Sequence, residues 1–334
     1  MAILLFLILI VIHEFGHFIA AKLSGVRVNE FAVGFGPKLF SFQGKETKYA
    51  INLVPLGGYC AMEGEDEESA DGRAFCNKPA YKRFLIVVMG AVFNLILGFL
   101  IVAIILAPSE RFASTTIAEF GENAMSQQSG LQVNDTIEKV DGRKIYSTYD
   151  LSYAFTNIDD GKVDITVSRD GKQKLLKDVE FATVTENDIS YLTVDFKVYG
   201  IEKTFVSYIK ETFKTSVSYC AVIWRSLIDM LAGKYGISAV SGPVGVTVAI
   251  GNAAKQSLLN VLPLMAIITI NLGLFNLLPI PALDGGRLVF IFIEMIFRKP
   301  VPQKYESVVH AVGMALLLAF MAFIVLKDIW TLIF

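Results

Sequence analysis

The sequence predicts a polytopic α-helical membrane protein, with four spanning helices and a β-rich domain inserted between the second and the third. Three observations predict it. Apolar residues make up 54% of the 334-residue chain and charged residues 19%, against roughly 45–50% and about a quarter in soluble domains; mean hydropathy is +0.53. Four runs are long and uncharged enough to cross hydrocarbon, which takes about 20 apolar residues. Between the second and third runs, residues 111–198 change to polar/apolar alternation, the period of a strand. A wholly soluble globule and a disordered chain are both excluded, since there is more apolar surface than the first can cover and ample material to bury. Nucleic acid is excluded as a partner, because 30 Lys+Arg face 32 Asp+Glu, the net charge is −2 and no basic stripe is present. Cys60, Cys76 and Cys220 are odd in number, far apart and without a Cys-x-x-Cys pair, so neither a disulfide framework nor a cysteine metal site is implied.

The first span, residues 1–22, has an apolar run Met1–Ala21 broken only by His13, Glu14 and His17. It lacks a basic leader and carries three ionisable groups, which argues against a cleaved signal peptide. Residues 84–109 form the second span, 256–286 the third and 307–328 the fourth. The second is uncharged, the third is uncharged until Asp284, and the fourth is uncharged from Ser307 to Leu326. A further apolar stretch, Phe205–Met230, carries Lys210, Glu211, Lys214, Arg225 and Asp229, and its uncharged run Thr215–Trp224 is too short to cross. It reads as an amphipathic helix on the membrane surface or on the protein, within a 200–255 segment of helix and loop. That segment includes Ser241-Gly242-Pro243-Val244-Gly245, a turn or loop by composition. Basic residues in short loops face the cytoplasm. The 287–306 loop holds Arg287, Arg298, Lys299 and Lys304, and the 23–83 loop is flanked by Lys22 and Lys82-Arg83, so both are expected there. Residues 110–199 and both termini then lie outside, across a cell membrane.

Residues 13–17 read His-Glu-Phe-Gly-His. On a helix, residues four apart share a face, so two imidazoles at this spacing can hold one Zn2+. Glu14, beside the first ligand, can take a proton from water that the metal acidifies. A chance match reads poorly here, because each ionisable group in a bilayer costs at least a few kcal/mol unless it has a partner or a task. His17 lies five residues from Lys22, about 7–8 Å along a helix. The centre is therefore expected inside the hydrocarbon, near its cytoplasmic face.

A catalytic zinc takes three protein ligands and keeps one position open. His310 is the only other histidine. Asp284 is the better third ligand, because it closes the third run at a similar depth, after Asn276-Leu-Leu-Pro279-Ile-Pro281-Ala-Leu283 and before Gly285-Gly286. Two prolines and two glycines break the helix, and irregular backbone at that depth is tolerated where it lines a cavity or is buried in protein. Asn271 and Asn276 on the third span, and Asn94 on the second, leave two readings open. Their amides join helices to one another, or they hold the backbone of an extended substrate.

These paired motifs resemble the site-2 protease family of intramembrane zinc metalloproteases, and the order of parts resembles the bacterial branch named for the regulator of sigma-E protease. The resemblance covers essentially the whole chain. It implies zinc endopeptidase activity on single-span membrane proteins such as anti-sigma factors or signal-peptide remnants. It makes His13, His17 and Asp284 the zinc ligands and Glu14 the catalytic base, and it associates Asn276, Asn271 and Asn94 with substrate handling. The second-span motif departs from the family's, since Gly90-Ala91-Val92-Phe93-Asn94 lacks its proline. Two soluble parts extend the resemblance. Gly130-Leu131 with Asp135-Thr136-Ile137, ahead of a turn at Asp141-Gly142, resembles PDZ domains, and only one such domain has room. Val163–Ser168 and Leu192–Val198 read as strands, Arg169-Asp170-Gly171-Lys172 as a hairpin turn and Tyr149–Asn157 as a short helix. A peptide ligand, a bare spacer and a size filter above the active site all remain open for this domain. Tyr49–Val54, ending in Pro55 and Gly57-Gly58, resembles the family's membrane-associated β-hairpin, which is expected to pair with an unwound substrate. The acidic run Glu63–Glu68 reads as a solvated face. Two other classes fit less well. The complete His13/Glu14/His17/Asp284 set argues against a non-enzymatic adaptor, and four spans without an internal repeat argue against a transporter.

Overall fold

The structure is a computed structural model and describes residues 2–65, 67–156, 158, 160–186, 189–234 and 240–333. The chain forms two compact units, Met1–Gly98 with Gly233–Phe334, and Phe99–Ala232.

In the first unit, α1 (Ala2–Leu23) runs into two long bent strands, β1 (Val28–Gln43) and β2 (Lys48–Met62), followed by α2 (Ala80–Leu106). β1 and β2 pair in a doubled way. Residues 28–33 face 58–62 on one side (Val28↔Met62, Val33↔Gly58) and 48–51 on the other, while 38–43 pair with 48–52. The bend in β1 falls at Gly34, whose φ of +84° suits a residue without Cβ. One apolar core joins α1, both strands, α2 and a later helix through Ala20, Val28, Met62, Ile86, Leu288 and Ile291. The acidic run is the solvated face expected of it at Glu67 and Glu68, which are exposed, and is partly covered at Glu63 and Glu65. Glu65 pairs with Arg287, and Glu63 accepts hydrogen bonds from Asn29 (2.8 Å) and Ser69 (2.7 Å). Asp66 lies outside the described residues, as does Met1.

The third span is not one helix through Gly286. After α6 (Pro243–Gln256), α7 (Val261–Asn276) ends, residues 277–283 are non-helical, and α8 (Asp284–Phe297) starts on the aspartate itself. Pro279 and Pro281 cause the break, because neither has an N–H to give a helix. Two expected loops are helical. Pro243 opens α6 at its first position, with Gly242 as N-cap, where a missing N–H costs nothing. Likewise α8 fills much of 287–306, burying Leu288 and Ile291 on one face. The chain ends in α9 (Gln303–Ile333). Ala2–Leu23, Ala80–Leu106, Leu258–Asn276 and Lys304–Thr331 are long and apolar enough to cross a membrane.

The second unit holds β3 (Arg111–Phe120), α3 (Met125–Gln128), β4 (Thr136–Val140), β5 (Arg143–Lys144), α4 (Thr148–Ala154), β6 (Lys162–Arg169), β7 (Lys172–Glu180), β8 (Thr183–Glu186), β9 (Ile189–Leu192), β10 (Phe196–Glu202) and α5 (Phe205–Leu231). The main sheet runs β10-β3-β4-β6-β7, with β5 on β4 and β8–β9 as a separate pair. Its core is Ile117, Leu131, Ile137, Ile165, Val167 and their neighbours. Both expected turns are present, and Asp141-Gly142 and Asp170-Gly171 have positive φ throughout, as tight hairpin turns require. The expected strand Leu192–Val198 is divided between β9 and β10. The expected helix Tyr149–Asn157 is α4, capped by Ser147 and ending at Ala154; Asn157 lies outside the described residues.

The amphipathic stretch becomes α5, and its polar side docks on this domain. Asp229 receives two hydrogen bonds from Arg143 (2.7 and 2.6 Å), and Arg225 lies 3.3 Å from the buried Asp150. Its other side leaves Phe205, Val206, Phe213, Trp224 and Leu231 exposed.

Candidate metal centre

Four segments build the site. On α1, His13, Gly16, His17 and Ala20 are buried while Phe15 is exposed, so the i, i+4 spacing places both imidazoles on the inward face. α2 passes this face at Gly90. A Cβ built there would lie 2.8 Å from His13 Cε1 and would collide with the His17 ring. The non-helical 277–283 segment carries the chain to Asp284, the first residue of α8. β2 passes Glu14 at Gly58, where a Cβ would stand 3.5 Å from Glu14 Cγ.

Three donor atoms converge. His13 Nε2 lies 3.1 Å and His17 Nε2 3.3 Å from Asp284 Oδ2, and the two ring nitrogens are 3.2 Å apart. Asp284 Oδ2 is buried without a hydrogen-bond partner. Two imidazole nitrogens and a carboxylate oxygen therefore bring lone pairs towards one point. Ligands held about 2.0–2.1 Å from a tetrahedral zinc stand about 3.3 Å from one another, so this triangle fits that ion. No other group of three or more His, Cys, Asp or Glu among the described residues is placed to hold a metal.

The other side of each ring is held. His17 Nδ1 lies 2.9 Å from the Ile86 carbonyl oxygen. A carbonyl only accepts, so Nδ1 carries the proton and Nε2 keeps its lone pair for a metal. The Asn94 amide lies 3.2 Å from His13 Nδ1, and Asn94 is wholly buried. As placed, Asn94 Nδ2 faces His13 Nδ1; with His13 Nε2 turned to a metal, Nδ1 carries the proton, and the amide turns its oxygen, otherwise without a partner, to accept it. The two ends of an amide exchange by a half-turn.

The structure thus brings His13, His17, Asp284 and Asn94 together, with Glu14 next to His13. Asn271 and Asn276 both lie on α7, and among the described residues neither side chain is hydrogen-bonded to the centre. Asn271 Oδ1 is buried without a partner. α7 itself reaches the site's second helix where Thr269 Oγ1 donates to the Asn94 carbonyl (3.2 Å). Sequence reasoning missed Gly90, Gly58 and the Ile86 carbonyl as parts of the site. For Gly90 there was a signal, a glycine one helical turn from a buried asparagine; a backbone carbonyl leaves none.

The model of peptidase family M50 matches residues 1–320. Three relatives, each named "putative zinc metalloprotease", align along most of both chains. The one from Clostridium perfringens is 37% identical over 330 residues, 98% of this chain and 97% of its own. That of Fusobacterium nucleatum is 33% identical over 329 residues, covering 97% and 96%. The Campylobacter jejuni protein is 33% identical over 340 residues, covering 96% and 90%.

Proposed function

From the premise that the chain belongs to peptidase family M50, and is a zinc metalloprotease of site-2 type and a multi-pass membrane protein, we propose that it is an intramembrane endopeptidase. Its substrates are single-span membrane proteins, cut within or near the spanning helix. The observation that carries this reading is the triangle of His13 Nε2, His17 Nε2 and Asp284 Oδ2, no side longer than 3.3 Å, with both imidazoles on a helix long and apolar enough for a bilayer. We assign these three as zinc ligands. When bound, zinc supplies a Lewis acid for the peptide carbonyl and acidifies water. Glu14 would take a proton from the attacking water and hand it to the leaving amine. Ile86 and Asn94 hold the two rings in the tautomer that leaves Nε2 unprotonated, so Asn94 is assigned to His13 rather than to substrate.

A helical substrate hides its carbonyls in its own backbone bonds and must be extended before it is cut. Residues 58–62 of β2 have 28–33 on one side, and their other side is a sheet edge that runs past Glu14 at Gly58. A substrate strand added to that edge recovers the backbone bonds it gave up. The hairpin's exposed Phe35, Leu39, Phe40, Phe42 and Leu53 suit contact with lipid. Asn271 and Asn276 are assigned to the substrate backbone, since Asn271 Oδ1 is an acceptor with no partner among the described residues. The β-rich domain is read as a single PDZ-like module outside the cytoplasm, binding a peptide or screening substrates by size. The metal centre is read as facing the cytoplasmic side of a cell membrane. Anti-sigma factors or signal-peptide remnants have the form such a site takes.

The test compares wild type with Glu14→Gln on a single-span substrate in proteoliposomes. Cleavage is expected to fall by about 10²–10⁴-fold, the usual contribution of a general acid–base group, while one zinc per chain remains. Near-wild-type cleavage rejects the role of Glu14, and full zinc content in His13→Ala rejects the ligand set.

A further inference from the structure

The third histidine of the chain, on α9, has no part in the site described so far. In the 277–283 segment that delivers Asp284, Pro279 and Pro281 have no N–H to donate, and the N–H groups of Leu277, Leu278, Ile280 and Leu283 bond to carbonyls of α7 or of the segment itself. Its Ala282 has φ +77°. Among the described residues, the other non-glycine positions with positive φ are asparagines, aspartates and one arginine, namely Asn123, Asn134, Asp141, Asp170, Asp178 and Arg298. Asn and Asp tolerate that region, and alanine adopts it only where its surroundings impose it.

The surroundings that impose it come from α9. The Ala282 N–H donates to His310 Nδ1 at 3.1 Å. The imidazole is therefore neutral there, with its lone pair on Nδ1. Phe290 of α8 lies against the same ring, with centroids 5.9 Å apart. Three residues along α9, Gly313 lets the helix backbone reach the segment; a Cβ there would stand 2.8 Å from the carbonyl carbon and oxygen of Pro281. One face of α9 thus offers an acceptor for the strained residue and a gap for its neighbour.

We propose that His310 is a positioning residue: by accepting the Ala282 N–H it holds the strained turn that presents the Asp284 carboxylate to His13 and His17. The proposal rests on the zinc reading above. A turn freed from this bond relaxes towards negative φ at Ala282 and turns Asp284 away from the two rings.

The experiment uses full-length purified protein in detergent and reads two quantities: the rate of zinc loss to a chelator, and kcat on a single-span substrate. His310→Leu removes the acceptor and keeps an apolar side chain of similar size. It is expected to lose zinc at least about tenfold faster, the usual effect of removing a partner that orients a ligand. His310→Asn places an amide oxygen near the position of Nδ1 and is expected to stay within about threefold of wild type. Ala282→Gly removes the cost of positive φ, so the His310→Leu/Ala282→Gly double variant is expected to recover most of the zinc retention. Wild-type zinc retention in His310→Leu overturns the proposal. So does equal loss in the Leu and Asn variants with no recovery in the double variant, which marks a packing role alone. Wild-type protein without zinc fails the metal reading first, and this inference with it.

Discussion

At Gly90 one added carbon decides whether the centre forms, because His13 and His17 stand where a side chain would begin. Gly90→Ala has to push α2 away from α1 or tilt both rings off Asp284. Zinc affinity is expected to fall by at least about tenfold, as it does when ligand orientation is lost, with the helical circular dichroism unchanged. Zinc per chain after dialysis against a graded chelator checks it, and full retention contradicts the placement. Asn94 belongs to the same scale. Asn94→Leu removes the group that fixes the His13 tautomer, and a fall in zinc affinity of about 10–100-fold is expected in the same assay. The three converging side chains were legible in the sequence. Two histidines and a glutamate are costly in a hydrocarbon run, so their presence already demanded a task. Asp284 was legible because prolines and glycines announce irregular backbone at that depth. Gly90 left a partial signal in its spacing from Asn94 and Ile86 left none, since what matters in each is a missing side chain or a backbone atom, and which helix faces which is settled only by packing.

Individual elements repeat this division between what composition carries and what packing decides. The four candidate spans were legible from uncharged length alone, and β4, β6 and β7 from alternation and two Asp-Gly turns, whereas β1, β3 and β8 carried no such signal. The helices α6 and α8 were not, because glycines and prolines near their starts look like loops until they prove to be an N-cap and a first-turn residue. The placement of α5 was half legible. Its charges forbade a span, but only the packed structure separates the side that meets α4 from the exposed apolar side. At that seam Tyr149 meets Tyr219 edge to face, ring centroids 4.4 Å apart. Burial pushes the Tyr149 phenol up to about 12, with Tyr219 and Asp150 adding to the shift. The folded value lies above the unfolded one of about 10, so the seam's contribution is whole below pH 10 and is lost as pH rises towards 12. About 2 kcal/mol of stability is expected to go over that window. In Tyr149→Phe that fraction of the alkaline decline is expected to vanish. Thermal midpoints of the full chain at pH 9, 10, 11 and 12 test it; parallel curves for the two proteins contradict it.

Over the whole molecule, the unit that carries the site is made from two stretches of chain separated by the other unit, Met1–Gly98 and Gly233–Phe334. Two proposed ligands come from the first stretch and one from the second, so a bound zinc is a cross-link between distant parts of the sequence. Closing so long a loop costs conformational entropy that grows slowly with length, and an ion bound only by the folded state offsets it through linkage. A ligand present at a thousand times its Kd stabilises by about 4 kcal/mol. Zinc removal with a chelator is therefore expected to lower the thermal midpoint of the wild-type chain, on the order of 10 °C. Glu14→Gln is expected to show the same drop, since it loses the proton carrier and keeps all three ligands. His13→Ala, with one ligand gone, is expected to start near the lowered midpoint and to respond little to chelator. Scanning fluorimetry of the three proteins with and without chelator separates the two roles that neighbouring residues 13 and 14 are given. Equal chelator responses in all three would mean that the ion, wherever it binds, does not join α1 to α8.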